Sequence, residues 1–203
     1  MSRLLVISHT PHYMCEDRKI AAWGPTVREL DYLAEAFGEL EHVAFFSNEP
    51  APASAIPYES SRVHLTPLEP SGGHGITAKL GIIRKYPSYL NTIREAVSRA
   101  DVVQIRCPCN LAIPALFYLA AARRGPCWAK YAGNWVQENP PLSYAFQNWW
   151  LQKGFHRGPV TINGVWPNQP RHVFSFQNPC MAAEELQAAK KIAREKTLTL
   201  PIR

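Results

Sequence analysis

Seven short apolar runs alternate with segments of helical period along this 203-residue chain, and that alternation limits its fold more than any other feature. The runs at residues 3–8, 41–46, 62–68, 101–106, 127–132, 159–162 and 172–176 have the length and apolar character of buried strands. Between them, residues 25–38 open on Pro25 and close at Gly38, as a well-bounded helix does. Residues 76–97 place Ile76, Leu80, Ile83, Tyr86, Leu90, Ile93 and Val97 at steps of three or four, an amphipathic helix that Pro87 is expected to kink or divide. Further helices are expected at 111–125, 142–153 and 181–195, with only the short link "GVWPNQP" joining two strands directly near the end. Parallel strands need crossovers that cover both faces of their sheet, so the expected fold is α/β, a Rossmann-like parallel sheet with helices on both faces.

Composition narrows the class of chemistry. No window reaches the roughly 18 apolar residues of a membrane span. The amino-terminal "MSRLLVISHT" reads as a first strand, not a signal peptide, so a cytoplasmic location is expected. Five cysteines in a chain of this size predict reduced thiols, with Cys107 and Cys109 packed as small apolar groups and no metal bound. Neither G-x-G-x-x-G nor G-x-x-x-x-G-K-[ST] occurs, which disfavours a dinucleotide dehydrogenase or a P-loop enzyme. A net charge of +6 could attract phosphate-bearing ligands or an anionic surface. The basic and aromatic residues are not interleaved as in a nucleic-acid module, so no nucleic-acid partner is expected. Lys79, Arg84, Lys85, Arg94 and Arg99 flank the apolar stripe of 76–97, a pattern shared by helices lying on anionic lipid and by solvated outer helices.

In an open parallel sheet, ligands bind beyond the carboxyl ends of the strands. The segments there are Ser8-His9-Thr10 with the later Trp23-Gly24, Cys107 to Asn110, Gly133-Asn134-Trp135, Asn163-Gly164 and Gln177-Asn178-Pro179. They are polar, small or turn-forming. Gly133 would let backbone approach a ligand, with Asn134 offering hydrogen bonds and Trp135 a stacking face, although Asn and Gly also simply make turns. His9 and His12 could act near neutrality as acid or base. Lys130 lies mid-strand, an awkward place for a charge without a partner. Gly24-Pro25-Thr26 opens a helix whose free N–H groups would favour an anion.

In "DVVQIRCPCN", in "LAAARRGPCWAKYAGNW" and in "RGPVTINGVWPNQPRHVFSFQNPCMAAEEL", the chain resembles the amino-terminal, acceptor-side domain of retaining GT-B glycosyltransferases, family 4-like. The resemblance implies one half of a GT-B architecture over residues 1–197, with 198–203 leading into a carboxyl-terminal domain supplied in cis or in trans. It implies transfer of a sugar from a nucleotide-sugar donor to a glycan or lipid-linked hydroxyl acceptor with retention, by a hexosyltransferase-like enzyme that this chain alone would leave incomplete. The donor nucleotide sugar would be a substrate, with no cofactor and no metal. On the donor side the resemblance places Gly24, Thr26, Arg106 and Asn110. On the acceptor side it places His9, His12, Lys130, Asn134, Trp135 and Asn163. The family often has a histidine where this chain has Arg106, whose guanidinium could instead pair with an anionic sugar or acceptor group. Arg106 is the best candidate for a catalytic role, and no carboxylate of these segments offers a base. A peripheral contact with the inner face of a membrane is a further expectation, and a non-catalytic sugar- or phosphate-binding module is the rival reading.

Overall fold

Leu4, Leu5, Val6 and Ile7 are all fully buried, so both faces of the strand that carries them are covered. In the computed structural model, which describes residues 2–71, 76–122, 125–176 and 183–196, this strand, β1 (Ser2–Ile7), lies inside a parallel sheet. β4 (Gly38–Phe45) pairs with it on one side and β7 (Val102–Cys107) on the other. β6 (Val63–Leu68) extends the first side. β8 (Cys127–Tyr131), β9 (Val160–Asn163) and β10 (Val173–Phe176) extend the second. The order is β10-β9-β8-β7-β1-β4-β6, seven strands, with a reversal of winding between β1 and β7. The fold is therefore α/β and Rossmann-like.

Successive side chains of β1 go to opposite faces. Leu4 and Val6 pack with Leu30 and Ala34 of α1 (Gly24–Phe37). Leu5 and Ile7 join the larger core on the other face, with Ile93 of α2 (Ile76–Arg99), Leu116 of α3 (Ala112–Ala122) and Leu151 of α4 (Leu142–Gln152). α5 (Ala183–Glu195) meets α1 through Arg28 and Glu185, 2.9 Å apart. α2 runs unbroken through Pro87, which is exposed, while Tyr89, Ile93, Ala96 and Val97 hold the following turns onto the core. Burial of that stripe outweighs the one hydrogen bond that a proline removes. The basic residues of α2 are partly engaged: Lys85 pairs with Glu69 at 2.9 Å and Arg99 with Glu41 at 2.7 Å.

The connections from β1 to α1 and from β4 to β6 contain a second, antiparallel sheet of three strands: β2 (His12–Met14), β3 (Ile20–Trp23) and β5 (Ala55–Pro57). Strands of three or four residues are too short for a period-two pattern to stand out, yet Ala21 and Ala22 are fully buried. The segment Gln177-Asn178-Pro179 and the boundary at 198–203 lie outside the described residues.

Gly158, just before β9, approaches β8 so closely that a Cβ there would lie 1.7 Å from the carbonyl oxygen of Cys127. Gly158→Ala should therefore push β9 off β8 and cost about 1–3 kcal/mol. The readout is a melting temperature lowered by about 2–4 °C for each kcal/mol.

Candidate functional site

β1 and β7 are neighbours whose onward crossovers leave in opposite directions, which opens a crevice at their carboxyl ends. A cavity of about 500 Å³ fills it. Ser8, His9 and Thr10 after β1, Arg106 to Pro108 at the end of β7, and Lys130, Ala132 and Gly133 around the end of β8 supply the sheet side of its wall. The first turns of α1 and the small antiparallel sheet supply much of the rest, notably Thr26, Glu29, Tyr13 and Trp23, with Tyr144 of α4 also part of it.

The cavity wall contains an ionic cluster that the sequence reading did not foresee. Glu29 Oε2 lies 2.6 Å from Lys130 Nζ and 2.7 Å from Arg106 Nη2, with the three side chains only 3–12% exposed. Arg106 also donates from Nε to Gln104 Oε1 at 3.1 Å and from Nη1 to Thr26 Oγ1 at 3.4 Å. Lys130 Nζ stands 4.2 Å above the ring of Phe176. The awkward mid-strand lysine thus has its partner, and a crevice carboxylate exists after all, contributed by α1. Its signal was in the sequence: Glu29 sits within the inward stripe of Val27, Leu30 and Ala34, where an unpaired charge is not tolerated. Two cations share one carboxylate here, and the first turn of α1 starts at Trp23 with no side-chain cap. Both features favour an anionic ligand group.

A second polar network lies behind Ser8. His12 Nδ1 faces the carbonyl oxygens of Thr10 and Phe45, at 3.0 and 3.3 Å, so that nitrogen holds the proton. His12 Nε2 then accepts from the Tyr58 hydroxyl at 2.8 Å, and the Tyr58 oxygen accepts from His42 Nδ1 at 3.1 Å. That leaves His42 Nε2 to accept from the Ser8 hydroxyl at 2.8 Å. His12 and His42 are fully buried. Burial lowers His12 to a pKa of about 4 and holds His42 well below the ordinary histidine value, so both are neutral. The relay fixes the loop from which His9 stands at the cavity mouth, exposed but with its pKa lowered by desolvation.

Of the residues expected at the site, His9, Thr26, Arg106 and Lys130 line the cavity. Gly24 is buried beside it, donating its N–H to Ser54 O at 3.0 Å. The others lie outside the wall. His12 is sealed in the relay. Asn110 is half-buried, its carbonyl accepting from Tyr86 Oη at 3.4 Å. Asn134 is exposed and turns back on itself, its Oδ1 accepting from the N–H of Val136. Trp135 offers no stacking face: it is 7% exposed and meets Tyr131 edge-on at 5.2 Å in the core. The carbonyl of Asn163 accepts from Trp166 Nε1 at 3.2 Å, away from the cavity. Gly133 does line the wall, and there a Cβ would lie 2.9 Å from Pro108 Cδ. Close packing against Pro108 thus requires the glycine before any ligand does. Cys109 caps its own loop, with Sγ 3.2 Å from the Arg106 carbonyl and 3.3 Å from the Ala112 nitrogen. Burial raises Cys107 well above the usual thiol pKa and Cys109 to about 11.

No family model and no curated protein matches the sequence. Among solved structures the chain is similar to a ugt transferase from Siraitia grosvenorii in complex with UDP, at a TM-score of 0.44 and 9% identity. The match covers 95% of this chain and 55% of that one, so the chain spans about half the length of that structure.

Proposed function

We propose that this chain is the acceptor-side half of a retaining GT-B glycosyltransferase, which transfers a sugar from a nucleotide-sugar donor to a hydroxyl. The observation that carries the reading is the cavity at the switch point of the sheet, where Arg106, Lys130 and the start of α1 converge around one carboxylate. Their excess positive character suits a donor phosphate or an anionic substituent, with Thr26 and Arg106 on the donor side. His9, neutral at the mouth, would accept a hydrogen bond from the acceptor hydroxyl, with Lys130 deeper on that side. Retention rests on the family resemblance of the sequence. A carboxyl-terminal GT-B domain, in cis or in trans, would supply the remaining groups that stabilise the departing diphosphate.

The test combines this chain with its carboxyl-terminal half and follows transfer from a panel of nucleotide sugars, with the product anomer read by NMR. His9→Ala should lower kcat/KM by about 10²-fold while leaving the melting temperature unchanged, because the side chain is exposed. Unaltered transfer by this variant would remove His9 from the reaction. An inverted product would overturn the retaining assignment.

The engagement of Glu29 by two cations favours a second reading, a non-catalytic module that binds a sugar or phosphate in the same cavity. That reading expects a rise in melting temperature with ligand and no turnover from any donor.

A further inference from the structure

Away from the cavity, α3, α4 and the turn after α4 present five aromatic rings in one continuous cluster. Phe117 lies 5.7 Å from Phe146 and 5.0 Å from Trp150. Trp149 lies 6.0 Å from Phe146, and Phe155 completes the set 5.3 Å from Trp149 and 5.2 Å from Trp150. Three of these rings face outward, with Phe117 49%, Trp149 47% and Phe155 43% exposed. Leu142 at the start of α4 is 90% exposed, and Val136 in the preceding loop is 51%. Single exposed apolar residues are ordinary, but a contiguous set of large rings on one helix face is the mark of an interaction surface.

The charge around the patch indicates what would cover it. Between Asp101 and Glu184 the sequence contains one carboxylate, Glu138, against seven lysines and arginines. Two of those cations, Lys153 and Arg157, are exposed within the turn that carries Phe155. That turn is tied to α4 by Lys153 N–H to Trp149 O at 3.0 Å and closed on itself by Arg157 N–H to Gly154 O at 2.9 Å. Rings that are apolar in body, among them an indole with a polar edge, flanked by Lys153 and Arg157 in a stretch of chain with almost no carboxylates, match the boundary between headgroups and acyl chains of an anionic bilayer. A protein partner or a second copy would complement exposed rings as well, but neither would account for the depletion of carboxylates across this half of the sheet.

We infer that the aromatic face of α3 and α4, with Lys153 and Arg157, docks this protein on an anionic lipid surface. The expected membrane contact is thereby moved from the basic helix α2, whose Lys85 and Arg99 are paired with acidic residues. Because Tyr144 in the first turn of α4 also lines the cavity, a bilayer under α4 lies beside the cavity mouth. The docking inference stands on the patch itself and does not depend on the proposed transfer reaction.

The experiment is co-sedimentation of the intact chain with vesicles of phosphatidylcholine alone and of phosphatidylcholine containing about one-third phosphatidylglycerol. Binding to the second and not the first is expected, weakening as salt is raised. The charge variant Lys153→Glu with Arg157→Glu should lower the partition coefficient by about tenfold or more. Trp149→Ser with Phe155→Ser should lower it comparably, through loss of buried apolar area. All four positions are exposed, and unchanged melting temperatures without vesicles will show that the variants remain folded. Equal binding to both vesicles, or binding unaffected by either pair of substitutions, overturns the inference. So does absence of vesicle binding together with self-association that Trp149→Ser and Phe155→Ser abolish, which would assign the face to a second copy.

Discussion

Glu29→Ala should destabilise the protein by about 3–5 kcal/mol, because it leaves the buried cations Arg106 and Lys130 facing each other without their shared carboxylate. At about 2–4 °C for each kcal/mol, the melting temperature should fall by roughly 6–20 °C. Glu29→Gln keeps the volume but not the charge and should act in the same direction. The decisive comparison is a double variant. Adding Lys130→Met to Glu29→Ala removes one stranded cation and should recover part of the loss, a non-additivity that independent sites would not show. A Glu29→Ala protein within about 1 kcal/mol of the parent would mean that the cluster is solvated and screened as a surface pair is.

The second large effect is expected in mild acid. In the folded protein His12 has its pKa lowered from 6.5 to about 4, and His42 lies well below 6.5, each by burial. Below pH about 6.5 the unfolded chain therefore binds protons that the folded chain refuses. The contribution is fully present above that pH and is lost as pH falls toward the folded value near 4. For His12 alone the shift corresponds to about 3 kcal/mol. Urea unfolding at a series of pH values should show stability rising with pH across this window. Glu41, whose pKa is lowered chiefly by hydrogen bonds and charge from Arg99 acting against desolvation, adds an acid loss of its own beginning below its unfolded value of 4.5. A slope between pH 6.5 and 5 therefore belongs to histidine. Tyr58→Phe would remove the hydroxyl that serves both rings and should cost about 1–3 kcal/mol at neutral pH. A flat profile above pH 5 would show that the relay admits protons without unfolding.

The large elements were legible because their signals are periodic. The apolar runs of β1, β7 and β8 and the three-to-four spacing along α1 and α2 repeat often enough to overcome local noise. β2, β3 and β5 were not, since three or four residues carry no such repeat and the pairing of β3 with β5 joins segments some thirty residues apart. At the site, His9 after β1 and the strand residues Arg106 and Lys130 reach the cavity wall, whereas Asn134, Trp135 and Asn163, picked out by their position after a strand or at its end, do not. Every strand end is followed by polar or turn-forming residues, whether or not it borders the crevice. Trp135 turned inward because Tyr131 and the core beneath offered its ring more buried area than the mouth did.

The sequence by itself determined a parallel sheet with helices on both faces, because burial of apolar strands and stripes follows directly from their spacing. It also determined that Lys130 needed a partner, since a charge cannot sit unpaired in a buried strand. Only the tertiary structure decided which partner. Glu29 is 101 residues away, and it reaches Lys130 and Arg106 because the winding of the sheet brings the start of α1 over the ends of β7 and β8. The same holds for the chain of hydrogen bonds from Ser8 to His12 and for the exposed rings of α3 and α4. Such long-range meetings depend on crossover direction and register, which no local pattern of residues records.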